Sequence, residues 1–302
     1  AVSGERRLFR PTFSLRTLLL GMAVLGAGLG LFQRLNRQRQ LIARIKTAGG
    51  RIEYTKRESS GRFEAWLRKW LPQGYFDDVW YVGFDENCNS VDEILVHLPE
   101  LNSLKVLFLE KTKVSNAGLM NLARLKTLQK LVLNRTKVSD GDLANLAELK
   151  SLEELSLGHT QVGDMGLSHL AELKSLVHLW FYDTQVTDAG LAHIAKLKSL
   201  ESIALSNTQV SDVGLTHLAG LKSLWSLGLE NTQVSDTGLR HLAELKSLRA
   251  VYLNSTPVSD AGLKHLTELK SLEQLELGNT RVSQAGIQQL KNSLPGCQIY
   301  GP

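Results

Sequence analysis

A threonine recurs every 24 residues, at Thr112, Thr136, Thr160, Thr184, Thr208, Thr232, Thr256 and Thr280, with no insertion or deletion across eight copies. A fixed period of this length, held for so long, points to a stack of similar supersecondary units. Each unit reads L-x-x-L-x-L-x-x-T-x-V-S-D-x-G-L-x-x-L-A-x-L-K-S, as in Leu152, Leu155, Leu157, Thr160, Val162, Asp164, Gly166, Leu167, Leu170 and Leu173. Two periods are nested inside it. Leu155 and Leu157 alternate, which predicts a short strand with one face inward. Leu167, Leu170 and Leu173 recur every three residues, which predicts one face of a short helix or 3₁₀ turn. Ser/Thr-Asp ahead of that turn can cap its free N–H groups. The glycine that follows allows a left-handed or tightly packed backbone. The second copy departs from the pattern, with Asp142 in the glycine's place and Gly141 before it. The threonine hydroxyl is expected to bond the backbone of its own turn and of the next. No unit can bury its leucines alone, so neighbours must stack.

These motifs resemble the leucine-rich repeat family over about 104–294, with Thr where many members carry Asn or Cys. The V-[ST]-D-x-G-L-x-x-L half resembles the repeats of F-box substrate receptors and their bacterial relatives. With the N-terminal segment described next, the whole resembles membrane-anchored bacterial proteins of the kind abundant in planctomycetes. The resemblance implies an α/β solenoid: a curved right-handed stack with parallel strands concave and short helices convex, whose repeats bind protein. Residues 79–103 read as a degenerate capping repeat, since Leu95, Leu98 and Leu101 stand 24 residues before Leu119, Leu122 and Leu125. Ile299 stands 24 after Leu275, so 295–302 read as a C-terminal cap strand.

The N-terminal segment differs in kind. Residues 1–50 hold nine Lys/Arg against Glu5 alone, so of the net charge of +5 they carry +8 and the remainder about −3. The basic balance therefore belongs to this segment, and a nucleic-acid reading of the repeats has no support. After a basic tail (1–12), residues 17–32 carry no charge; extended back to Phe13, a helix over 13–32 reaches roughly 30 Å, the thickness of a bilayer core. Three assignments fit it. A single-pass anchor is favoured by the long basic lead and the lack of an A-x-A-like cleavage site. A cleaved export signal is the second, and a buried core helix the third. Basic residues balance on the two sides, four against five, so the charge rule gives no orientation. Residues 33–78 read as a juxtamembrane helix ended by Gly49-Gly50, a short strand at 51–54, a polar loop, and an amphipathic helix over 63–71 carrying Trp66 and Trp70.

Within the repeats, the strand residues flanking the inward leucines are expected on the concave side. The central column runs Phe108, Val132, Ser156, Trp180, Ala204, Gly228, Tyr252, Glu276. Trp180 thus stands between small neighbours as an expected exposed aromatic, with Tyr182 and His178 on its face and His159 and Asp183 at the rim. Trp225 and Tyr252 follow two and three repeats along. Large exposed aromatics anchor interfaces, so His159, His178, Trp180, Tyr182, Asp183, Trp225 and Tyr252 are the expected partner-binding residues. A glycan is the alternative partner, with Trp180 and Tyr252 as stacking platforms and Asp183, Asn207 and Asn231 as polar contacts. A ubiquitin-ligase-type receptor is the third reading, disfavoured because 51–95 show no F-box-like helices.

Signals for chemistry are weaker. His169, His193, His217, His241 and His265 share one position, but Asn121, Asn145 and Gln289 fill it elsewhere, as expected of a half-exposed polar site rather than a metal ladder. "DENCN" (85–89) begins like a calcium loop but has Ser90 and Val96 where an EF-hand needs Gly and Glu. Glu154, His178 and Ser202 should align across adjacent strands as an imitation triad, without an oxyanion hole. No enzyme and no cofactor is expected. Cys88 and Cys297 lie at opposite ends of the array, too far apart for a disulfide.

Overall fold

The computed structural model describes residues 30, 33–55 and 78–301. Nearly all of the expected membrane helix, and the amphipathic helix with Trp66 and Trp70, lie outside these. Among the described residues no helix is long and apolar enough to cross a membrane.

Eleven strands form one sheet in chain order. They are β1 (Arg51–Thr55), β2 (Asp78–Gly83), β3 (Val106–Phe108), β4 (Lys130–Val132), β5 (Glu154–Ser156), β6 (His178–Trp180), β7 (Ser202–Ala204), β8 (Ser226–Gly228), β9 (Ala250–Tyr252), β10 (Gln274–Glu276) and β11 (Gln298–Tyr300). β1 is antiparallel to β2, and every later pair is parallel. From β3 onward each residue pairs with the one 24 positions on, so the sequence period is the register itself.

Leu107, Leu131, Leu155, Leu179, Ile203, Leu227, Val251 and Leu275 form one buried column, and the leucines of the opposite helices close over it. Each such side chain removed from water contributes roughly 1.5–3 kcal/mol, and each needs its neighbours on both sides to be dry. The ends are covered differently. At one, residues 33–47 are helical and lay Leu41 and Ile45 on the core. At the other, the ten-residue helix Gln284–Ser293, Leu294, Cys297 and β11 do so. Both cysteines are buried free thiols.

Polar columns set the spacing between units. Every period threonine donates its hydroxyl to the carbonyl three residues earlier, as Thr160 does to Leu157 at 2.6 Å, and the bond to the following unit that the sequence suggested is not made. In most repeats the Ser/Thr before the helix caps it, as Ser211 accepts from the Val213 N–H, whereas Ser90 makes no such bond and Gly163 has no side chain to make one. The aspartate acts between units instead. Asp188 Oδ1 accepts the Ser211 N–H at 2.7 Å and its Oδ2 accepts the Ser211 hydroxyl at 2.6 Å. Asp164, Asp212, Asp236 and Asp260 repeat the same pair of bonds onto Thr187, Ser235, Ser259 and Ser283.

This carboxylate explains the glycine. A Cβ at Gly190 would stand 2.5 Å from Asp164 Oδ1, and Gly166 and Gly238 face the same obstruction. None of these glycines has a positive φ; the left-handed residues are a different column, Lys111, Arg135, His159, Asp183, Asn207, Asn231, Ser255 and Asn279, with φ from 51° to 59°. Asn, Asp and His tolerate that region better than other non-glycine residues, which accounts for much of the column's composition.

Candidate functional site

The seven expected binding residues fall into two groups on the sheet face. His159, His178, Trp180, Tyr182 and Asp183 gather around β6. Trp225 and Tyr252 lie on the far side of β7.

The β6 group is largely engaged with itself. Trp180 is half-buried rather than the exposed anchor the sequence suggested. The imidazole of His178 stacks on it, centroids 5.7 Å apart and planes within 9°. The Lys130 ammonium stands over its ring at 5.9 Å and over Phe108 at 5.8 Å. The same ammonium pairs with Glu154 at 2.5 Å. An ammonium held between two rings and a carboxylate satisfies ring quadrupole and charge together. Tyr182 lies across Gly158, where a Cβ would collide with its ring, and its edge meets His159 at 5.3 Å. Burial, reinforced by the charge of Glu110, pushes its phenol above the usual value, with a hydrogen bond from Ser156 opposing. His159 and Asp183 stand 3.5 Å apart at the left-handed corners of adjacent units.

Glu154, His178 and Ser202 do align across β5, β6 and β7. Glu154 is committed to Lys130, and His178 Nδ1 is buried without a hydrogen-bond partner, so no proton relay joins the three. The glycan contacts are similarly occupied: Asn231 donates to Asn207 at 2.8 Å, and Asp183 faces His159. The histidine column is half-buried on the helix face at His169, His193, His217 and His241 and exposed at His265. Among the described residues no three His, Cys, Asp or Glu side chains are grouped to hold a metal ion. In the calcium-like stretch, Asp85 Oδ1 accepts the Asn87 N–H at 3.0 Å and closes its own turn.

The second group lines an open groove of about 850 Å³ with Glu201, Arg249, Glu273 and Gln298. Trp225 is 38% exposed, and its indole N–H reaches Glu201 at 3.3 Å. Arg249 is paired with Glu273 at 3.2 Å. Tyr252 lies between Gly228 on β8 and Glu276 on β10. Glu230 folds back over Gly228, within 3.2 Å of where a Cβ would be. Tyr252 therefore has a carboxylate on each side. Burial first, then the charges of Glu276 and Glu230, push its phenol above the usual value. The sequence reading missed Glu230 and Lys130, and named Glu276 only as the next residue of Tyr252's column. The signal was present, since adding 24 puts Lys130 beside Glu154 and Tyr252 beside Glu276.

A leucine-rich repeat family model matches residues 148–171, one full period. Among solved structures, an internalin from Listeria monocytogenes superposes with TM-score 0.51 at 22% identity, covering 68% of this chain and 69% of that one. A second Listeria protein, internalin C2, gives 0.50 at 28% identity over 62% and 74%. The array has the leucine-rich-repeat fold, with one full repeat matched in sequence. A leucine-rich repeat protein of Leptospira interrogans gives 0.54 at 22% identity, covering 67% of this chain but only 56% of that one. No curated protein matches the sequence closely. Leucine-rich repeats generally mediate protein–protein interaction.

Proposed function

We propose that this leucine-rich-repeat protein is a non-enzymatic, membrane-anchored scaffold that binds a protein partner on the concave sheet face. The observation that carries the reading is Trp225, 38% exposed beside the groove while Phe108, Trp180 and Tyr252 on the sheet face are half-buried; Tyr300, on the terminal strand, is the more open aromatic at 53%. A rigid aromatic left open beside a groove is the usual form of an interface anchor. The β6 cluster supports it as a preorganised wall, its rings already locked by Lys130 and His178. The anchor is the apolar segment 13–32.

A photo-crosslinking residue placed at Ala204 on the sheet face, and separately at the exposed Ala192 on the helix face, tests the binding side in native cells. Crosslinks to protein from position 204 and none from 192 are expected. Crosslinks from 192 alone, or equally from both, would overturn the reading. Sugar-specific capture on a glycan array with no protein crosslink would replace it by a lectin. Deleting residues 13–32 should move the protein from the carbonate-resistant membrane fraction to the supernatant; membrane retention after deletion would remove the anchor.

A further inference from the structure

The two aromatic groups on the sheet face are built from the same parts, and only one contains a cation of the chain itself. Around β6, the Lys130 ammonium lies over Phe108 and Trp180 and against Glu154. Around β9, Tyr252 has Glu276 beside it on β10 and Glu230 folded over Gly228 on β8. Both carboxylates are held in place by neutral donors. Glu276 accepts from Asn254 at 2.7 Å and Gln274 at 3.0 Å, and Glu230 accepts from the Ser206 hydroxyl. Among the described residues no Lys or Arg lies over Tyr252 or Trp225, and the nearest guanidinium, Arg249, is paired with Glu273.

We infer that the Trp225–Tyr252 groove receives a basic segment of the protein partner, an arginine or lysine side chain lying on Tyr252 between Glu230 and Glu276. The inference rests on the protein-binding reading above and adds the partner's chemistry. An arginine suits the site better than a lysine, because its planar guanidinium stacks on a ring while its N–H groups reach carboxylates at the edges. The floor permits a flat side chain: Gly228 and Ala250 are buried, and Ala204 is the next outward residue along the row. Charge complementarity selects against acidic partners. Glu201, Glu230, Glu273 and Glu276 face this part of the sheet, against Arg249 and the rim lysine Lys246. The upward displacement of the Tyr252 phenol, after burial, has the same two glutamates as its source.

A phage-displayed library of random dodecapeptides, panned against the full chain in detergent micelles, tests the inference. Enrichment of peptides carrying Arg or Lys is expected. Their affinity should fall at least about tenfold, about 1.4 kcal/mol, in Glu230→Gln/Glu276→Gln and again in Tyr252→Ala. It should also weaken between 0.05 and 0.5 M NaCl, as interactions of exposed charges do. The glutamine pair keeps shape and neutral bonding, and an unchanged circular dichroism melt confirms that the fold is intact. Enrichment of uncharged or acidic peptides at the same face would overturn the inference and leave the protein-binding reading standing. Basic peptides that bind both variants as well as wild type, or no enrichment at all, would also overturn it. Failure of the protein-binding reading is registered separately, by crosslinking at position 204.

Discussion

The second repeat and the fifth solve the same problem with different residues. In the fifth, Ser211 begins the helix, and the carboxylate that receives its N–H and hydroxyl comes from Asp188 in the unit before. In the second, the unit before has Asn116 at that position, and the carboxylate comes from Asp142 within the repeat itself, at 2.8 Å from both the Ser139 N–H and its hydroxyl. Asp142 occupies the place that is glycine elsewhere. The two irregularities are therefore one substitution in two parts. With no aspartate reaching across, the glycine's space is free, and an aspartate placed there restores the lost acceptor. Asn116 is still used, accepting from Asn145 at 2.8 Å. What is held constant along the array is a carboxylate at each helix start, not a particular sequence.

The sharpest way to break this account is at Gly190. Glycine to alanine in a helix ordinarily stabilises by roughly 0.5–1 kcal/mol. Here the new methyl would meet Asp164 Oδ1, and Gly190→Ala is expected to destabilise by about 2–3 kcal/mol in a thermal melt. Adding Asp164→Gly should recover part of the loss; a purely additive double mutant would refute the steric link. Next in size, Asp142→Gly should cost about 1–2 kcal/mol by stripping Ser139 of its acceptor. Asn116→Asp in that background should restore stability, and no rescue would mean the two positions are unrelated. Smaller, and of opposite sign to Gly190→Ala, is Gly141→Ala: nothing lies within 4 Å of a Cβ there, so about 0.5 kcal/mol of stabilisation is expected. The last effect is local. Bonds from Ser283 hold the Asp260 carboxyl below its ordinary value of 3.8. A lowered folded-state value stabilises the folded state above the ordinary value, and that contribution fades as pH falls through the lowered one. Hydrogen exchange at the Ser283 amide should accelerate only below that ordinary value; unchanged protection down to pH 2 would remove Asp260 from the account.

The sequence exposed the fold because the period of the chain is also the hydrogen-bonding register. Knowing the Thr column, one could place Leu155 against Leu179 without coordinates. It exposed less of the side-chain logic. Asp188 and Ser211 are 23 residues apart, one short of the period, and column reading compares only like with like. The glycine was read as serving a left-handed or a tightly packed backbone; the packing is what holds, and its source, a carboxylate in the preceding unit, was not visible. Trp180 was expected to be open because its row neighbours Ser156 and Ala204 are small. The side chain that covers it, Lys130, lies two strands away and two residues off its row. The pair of glutamates about Tyr252 went unnoticed for the converse reason: each looks unremarkable within its own column, and only their approach to one ring gives them meaning.

The aspartate bonds between units all run one way, from a unit to the one made after it. Synthesis therefore presents each helix start served in this way with an acceptor already in place, Ser139 excepted, and the solenoid can be laid down in the order it is translated. The same polarity makes truncation asymmetric. Shortening the array from its C-terminal end leaves every remaining serine with its carboxylate. Cutting between Asp188 and Ser211 and keeping the later half leaves one serine with none.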